Sequence, residues 1–258
     1  GTYVLLGDSE MAEGSNYEAM QLASFYKLSN LTVIVDINRL GQRGETMLGH
    51  NAIAYKKRFE SFGWKAIIVD GHNVNEILAS LKLKIDRPKV ILALTLKGKG
   101  FSFVENKDGW HGKALDEGLL SLALKRIPDV EMPKFTIEKR KASIKRAKTK
   151  KVEFSDYRVG SKLATRVAYG NALHNLAKSD SSVLVLDGET SNSTYADSVK
   201  GRQFVESFIA EQNMVGMALG LSKKGYNVFA SSFAAFLSRA HDQLRMASLS
   251  TCNMTICG

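Results

Sequence analysis

Two short groups of oxygen-bearing residues invite chemistry: Gly7-Asp8-Ser9-Glu10, and Asp36-Ile37-Asn38-Arg39-Leu40, with Asn38 thirty residues after Asp8. Asp8 offers a carboxylate, Asn38 an amide oxygen and Leu40 a backbone carbonyl. Converging on one point, these three make a hard oxygen site suited to Mg²⁺ or Ca²⁺ bridging phosphates. Gly-Asp after a strand is by itself an ordinary turn and helix start, because Asp favours such positions. The pair at this spacing is what points to a metal.

To act together, the two groups must leave the same edge of a sheet. Thr2-Tyr3-Val4-Leu5-Leu6 and Thr32-Val33-Ile34-Val35 are continuous apolar runs, expected as parallel strands buried on both faces. Between them Glu13 to Leu28 carries Tyr17, Met20, Ala23 and Leu28 at near-helical spacing, the crossover helix that parallel neighbours require. Ligands bind beyond the carboxyl ends of such strands. The alternation continues, with strands expected over 64–69 and 90–94 and a helix over 74–83. Beyond a basic stretch come helices over 161–176, 212–223 and 234–248, and strands over 183–186 and 227–230. Short strands alternating with helices predict an α/β fold of two parallel-sheet, three-layer domains.

Composition agrees, at 44% hydrophobic, 24% charged and three prolines in 258 residues. The net charge of +10 invites a nucleic-acid reading, so its location matters. Lys134, Lys139, Arg140, Lys141, Lys145, Arg146, Lys148, Lys150 and Lys151 stand against Glu138 alone, which confines most of the excess to one segment. With Pro128 and Pro133 at its start and little apolar periodicity, this segment reads as a solvated linker, not a nucleic-acid surface. No apolar run approaches the roughly 20 residues of a membrane span. Cys252 and Cys257, five apart and expected on opposite faces of a strand, read as packed core thiols in a reducing compartment, here the cytoplasm.

In the second half Glu211 stands where an apolar stretch meets a helix start, so its carboxylate is expected partly buried beside the positive helix end. Read alone it is an ordinary first-turn glutamate. Phe233 and Phe236, three apart on one helical face, read alone as core residues, and His111 as a structural histidine. Lys97, Arg166 and Ser193 read alone as a loop charge, a surface arginine and a turn serine.

Along nearly its whole length, however, the chain resembles the transketolase family. The resemblance rests on Gly7 to Ser15, Asp36 to Gln42, Phe62-Gly63-Trp64, Val69-Asp70-Gly71-His72, Lys97-Gly98-Lys99-Gly100 and Trp110-His111-Gly112-Lys113. It continues in Ala164-Thr165-Arg166, Ile209 to Met214 and Ser232-Phe233-Ala234-Ala235-Phe236, all in the family's order. Two departures are Ser9, the third member of a usual Gly-Asp-Gly, and Glu189, where aspartate is more common. The resemblance implies thiamine diphosphate with Mg²⁺ or Ca²⁺ held by Asp8, Asn38 and Leu40, and ketol transfer between sugar phosphates. Ser9, Asn38, Lys97, His111, Phe233 and Phe236 would contact the cofactor, with Phe236 stacking on its pyrimidine. Glu211 would act on the aminopyrimidine nitrogen, His111 at the ketose oxygen, and Arg166 with Ser193 on the sugar phosphate.

It also implies a homodimer, because diphosphate-side residues and Glu211 reach the cofactor from different subunits. The layout predicts an interior piece, inactive alone: 1–127 as the second half of the diphosphate-binding domain, 128–157 as the basic linker, and 158–258 as the first part of the pyrimidine-binding domain. Two alternatives are dihydroxyacetone synthase or deoxyxylulose-phosphate synthase as the related enzyme, and a non-catalytic transketolase-like remnant.

Overall fold

The computed structural model describes residues 1–131, 134–136 and 150–258. The chain divides into two units, Gly1–Thr136 and Ile137–Gly258. The basic segment expected at 128–157 lies in part outside the described residues.

In the first unit β1 (Thr2–Gly7), α1 (Gly14–Phe25), β2 (Leu31–Ile37), β3 (Leu40–Gly41), β4 (Gly44–Glu45), α2 (Ala52–Ser61), β5 (Lys65–Asp70), α3 (Val74–Lys82), β6 (Lys89–Leu94) and α4 (Glu117–Leu124) follow in order. The main sheet runs β1-β2-β6-β5, every pairing parallel, and β3 with β4 forms a small antiparallel hairpin. Strand residues alternate between two cores. Val33, Val35, Val90 and Leu92 meet Met20 of α1 and Tyr55 and Phe59 of α2, while Ile34, Ile91 and Ala93 meet Ile77 and Leu81 of α3. That period-two split with helices on both faces is the three-layer architecture.

The tight turn between α2 and β5 is anchored by Trp64, whose Nε1 donates to the Met20 carbonyl at 2.8 Å and whose ring meets Phe59 edge-on. Gly63 makes that turn with φ +84°, and a Cβ there would stand 2.6 Å from Ser24 Oγ. At the far side of the sheet the buried Lys89 ammonium donates to the carbonyls of Ser80, Leu81 and Leu83, closing the C-terminus of α3.

The second unit contains α5 (Thr165–Ser179), β7 (Val183–Asp187), α6 (Ser191–Thr194), β8 (Phe204–Glu206), α7 (Glu211–Lys223), β9 (Asn227–Ser231), α8 (Ala234–Leu237), α9 (His241–Leu249) and β10 (Met254–Cys257). Its sheet runs β10-β9-β7-β8, again all parallel. Leu184, Leu186, Val228 and Ala230 pack on Met214 and Ala218 of α7, and Val183 and Val185 on Leu173 and Ala177 of α5.

Several expectations need correction. β1 is not buried on both faces. It is the edge of its sheet, with Tyr3 and Leu5 exposed, because an apolar run does not reveal whether a strand has one neighbour or two. The helix expected over 161–176 starts only at Thr165, and the one over 234–248 is broken by a 3₁₀ turn at Ser238–Ala240. Cys252 precedes β10 and donates Sγ to the Ala247 carbonyl at 3.2 Å. Both thiols are half-buried, so neither is a core residue. The segments α2, β8 and α4 were not anticipated, although Ala52, Tyr55 and Phe59 of α2 recur at helical spacing. Among the described residues, no helix is long and apolar enough to cross a membrane.

Candidate functional site

Each unit gathers its chemistry at the carboxyl edge of its sheet. In the first, the register sets Gly7 opposite Asp36 and Ile37 opposite Leu94, so the turns after β1, β2 and β6 emerge side by side. The Asp8 amide donates to the Asp36 carbonyl at 3.1 Å, and Thr95 to that of Ile37 at 3.1 Å. Asp8 is 5% exposed. Its Oδ1 accepts the Ser9 amide at 2.9 Å, and its Oδ2 accepts the Arg39 amide at 2.6 Å and the Thr46 hydroxyl at 3.1 Å. Arg39, between Asn38 and Leu40, takes the left-handed conformation (φ +63°), which turns its N–H onto Asp8.

Asn38 is oriented in turn. Its Nδ2 donates to Asp36 Oδ2 at 3.3 Å and its Oδ1 accepts the Leu40 amide at 3.1 Å, while Asp36 Oδ1 bonds the Thr95 hydroxyl. Tyr55, buried, lines one cavity with Asp8 and Thr46. Burial first, and the Asp8 charge second, push this phenol above its ordinary value. Asp36, Thr46 and Tyr55 were not singled out from sequence. Their one visible signal was Asp36 near the end of β2, two positions before Asn38.

The loop after β6 brings two more groups. Lys97 Nζ donates to the Leu40 carbonyl at 2.9 Å and lies 2.9 Å from His111 Nδ1. An ammonium only donates, so Nδ1 accepts and the imidazole proton sits on Nε2, facing outward from this contact. Lys97 is therefore not the free loop charge it resembles when read alone. Arg39 ties this loop down through Nε to Asn106 Oδ1 at 2.9 Å. Ser9 is exposed, its amide taken by Asp8 and its hydroxyl lying over Gly41, where a Cβ would stand 2.7 Å from Ser9 Oγ. Among the described residues no group of three or more His, Cys, Asp or Glu gathers, which leaves the mixed carboxylate, amide and carbonyl set as the metal candidate.

In the second unit Glu211 is the first residue of α7 and 3% exposed. Its Oε2 has no hydrogen-bond partner. Arg239 Nη1 stands 3.8 Å away, within ion-pair range but too far to donate. The hydroxyls of Ser207 and Ser232, after β8 and β9, are likewise buried and unpaired. Phe233 is extended backbone preceding α8, so it does not share a helical face with Phe236. Their rings nevertheless lie 5.3 Å apart, and both are exposed, not core.

Asp187, at the end of β7, is fully buried and accepts the Thr190 amide at 2.6 Å and the Thr190 and Thr194 hydroxyls at 3.1 and 2.7 Å. Burial outweighs these donors and holds its carboxyl above the usual range. Arg166, exposed in the first turn of α5, lines a cavity of about 400 Å³ with Thr165, Tyr169, Thr194 and Ser232. Ser193, half-buried, is one residue away from that lining. Asp187 was missed because nothing in Leu186-Asp187-Gly188 distinguishes a buried anchor from a turn.

Residues 1–158 match the family described as transketolase, thiamine diphosphate binding domain, and residues 161–258 the transketolase pyrimidine binding domain. Human transketolase is 43% identical over 99% of the chain, and mouse transketolase-like protein 2 is 42% identical over 99%. The chain spans only 42% and 43% of those proteins' lengths. Among solved structures, transketolase from Campylobacter jejuni superposes with a TM-score of 0.76 at 21% identity, covering 98% of this chain and 46% of the other, a likeness of fold. Two adjoining family matches that together span almost every residue, over sheets of the corresponding architecture, place this chain in the transketolase family.

Proposed function

We propose that this chain supplies part of a transketolase, which moves a two-carbon ketol unit from a ketose phosphate to an aldose phosphate using thiamine diphosphate and a divalent metal. The observation that carries the reading is the orphaned carboxylate oxygen of Glu211 at the start of α7. A buried carboxylate oxygen without a donor is costly unless a ligand supplies one, and the aminopyrimidine ring is such a ligand.

The first edge fits the other end of the cofactor. Asp8 is a buried carboxylate with no ion pair among the described residues, and the Leu40 carbonyl already solvates a cation, the Lys97 ammonium. Asp8, Asn38 and Leu40 would hold Mg²⁺ or Ca²⁺, with Ser9, Lys97 and His111 facing the cofactor. Thiamine diphosphate, when bound, supplies the nucleophilic carbon and the electron sink for C2–C3 cleavage.

The chain's own residues do the rest. Glu211 would share a proton with the pyrimidine nitrogen of the bound cofactor, and Phe236 and Phe233 would line that ring. His111 offers its Nε2 proton to the ketose oxygen. Arg166 and Ser193 hold the sugar phosphate, whose dianion suits a guanidinium fork. The family's shared sites make a homodimer the working assembly, in the cytoplasm and within the pentose phosphate pathway. We assign 128–157 as a solvated linker between 1–127 and 158–258, and we expect the 258-residue chain alone to be inactive.

The test is calorimetry of thiamine diphosphate binding to the complete protein with and without Mg²⁺, together with ketol transfer between sugar phosphates. Metal-dependent binding lost in Asp8→Ala supports the reading, and unchanged affinity in that variant overturns it.

A further inference from the structure

Glu206 ends β8, and a single one of its oxygens, Oε1, accepts two backbone amides, from Glu189 at 3.0 Å and from Phe208 at 2.8 Å. Both donors are left-handed, at φ +62° and +55°, yet neither is Gly, Asn or Asp. Side chains of this size pay to adopt that conformation, so something beyond local preference holds them there. Glu189 opens the turn that leads through Thr190 to Ser193, and Phe208 opens the segment that leads through Ala210 to Glu211. The Phe208 carbonyl accepts the Ala210 amide at 2.9 Å, which carries the constraint on to the first turn of α7.

We propose that Glu206 is a positioning residue: one carboxylate oxygen pins the first residue of both segments and so fixes Ser193 and Glu211 relative to each other. Its consequence for ligands rests on the functional reading above, in which Ser193 serves the sugar phosphate and Glu211 the aminopyrimidine. Removing the acceptor should therefore weaken both ligands at once, although Glu206 touches neither.

Glutamine keeps an oxygen that accepts two N–H groups, whereas methionine keeps the length and loses the acceptor. In the complete protein, residue-resolved hydrogen exchange on Glu206→Met should show the Glu189 and Phe208 amides exchanging about tenfold faster or more. Ser207 and Gly188, whose amides bond the Asp187 and Ser231 carbonyls, should keep native rates and so report an intact sheet edge. Calorimetry should show Glu206→Met weakening thiamine diphosphate and a ketose phosphate alike by about tenfold, with Glu206→Gln within about twofold of native on every readout.

Unchanged exchange at Glu189 and Phe208 in Glu206→Met overturns the proposal. So does a Gln variant as impaired as Met, or loss of protection at Ser207 and Gly188, which would make Glu206 a general support of the edge. A native protein that shows the exchange pattern but binds no thiamine diphosphate would uphold the pinning and overturn the functional reading instead.

Discussion

At the edge of the first sheet, both oxygens of the buried Asp8 carboxylate have donors, and Asn38 is held at its amide nitrogen and its oxygen. At the edge of the second, Glu211 Oε2, Ser207 Oγ and Ser232 Oγ are buried without hydrogen bonds, and Glu189 and Phe208, in the turns after β7 and β8, are left-handed. Carboxylates serve both edges, but their energies differ. The first is a satisfied network whose members stabilise the fold and aim one another. The second keeps buried polar atoms that no donor or acceptor of the described residues satisfies, a pattern that marks ligand-facing positions. Geometry at the first edge is thus preset by internal bonds, whereas at the second it depends on a few outside anchors such as Asp187 and Glu206.

The sharpest way to separate the two edges is Glu211→Gln in the complete protein. The amide preserves size but cannot share a proton with the pyrimidine nitrogen, so exchange of the thiazolium proton should slow by about 10² to 10⁴. Deuterium exchange followed by NMR checks this, and an unaltered rate removes Glu211 from the mechanism. Stability should move little in that variant, because Oε2 has no hydrogen bond to lose, only the 3.8 Å ion pair to the half-exposed Arg239.

Asp8→Ala should do the opposite. It strands the part-buried Arg39 amide and Thr46 hydroxyl, which should cost about 1 to 3 kcal/mol of folding stability before any ligand is added. Denaturant unfolding reads this directly. A loss no larger than that of Glu211→Gln would erase the contrast between preset and unsatisfied edges.

A smaller effect concerns pH. Burial raises the Asp187 carboxyl above its ordinary 3.8, so the folded state binds the proton more tightly than the unfolded state. Its contribution is fully present below that unfolded value and declines as pH rises through the higher folded value. In Asp187→Asn this decline should vanish, leaving a flatter stability profile for the second unit over the mildly acidic range. Urea unfolding at several pH values checks it, and a native profile that rises through that window refutes it.

The smallest change is expected from neutralising Lys145, Arg146, Lys148, Lys150 and Lys151 of the basic segment. Cofactor affinity and transfer rate should stay nearly native. Salt-sensitive retention of the native protein on a polyanion at physiological ionic strength, lost in the variant, would show instead that this segment binds nucleic acid.

Much of the architecture was legible beforehand because it follows from patterns internal to each element. Apolar runs of four to six residues alternating with helical periodicity announce parallel sheets covered on both faces, and the Asp8 and Asn38 spacing matches two neighbouring strands joined by one crossover helix. Motif order along the chain pointed to the family. The sequence alone did not reveal that β1 is an edge, that 234–248 breaks at Ser238, or that Phe233 lies outside its helix. Nor could it show that Arg39 and Thr46 hold the Asp8 carboxylate and Asp36 the Asn38 amide, or that Glu206 binds two left-handed residues. Spacing along a chain determines which residues share a face or a turn, but neighbours across strands and the partner of each buried donor are decided only when separate segments pack. That is why candidate ligating residues could be named from the sequence, while what holds those side chains in place could be read only from the folded chain.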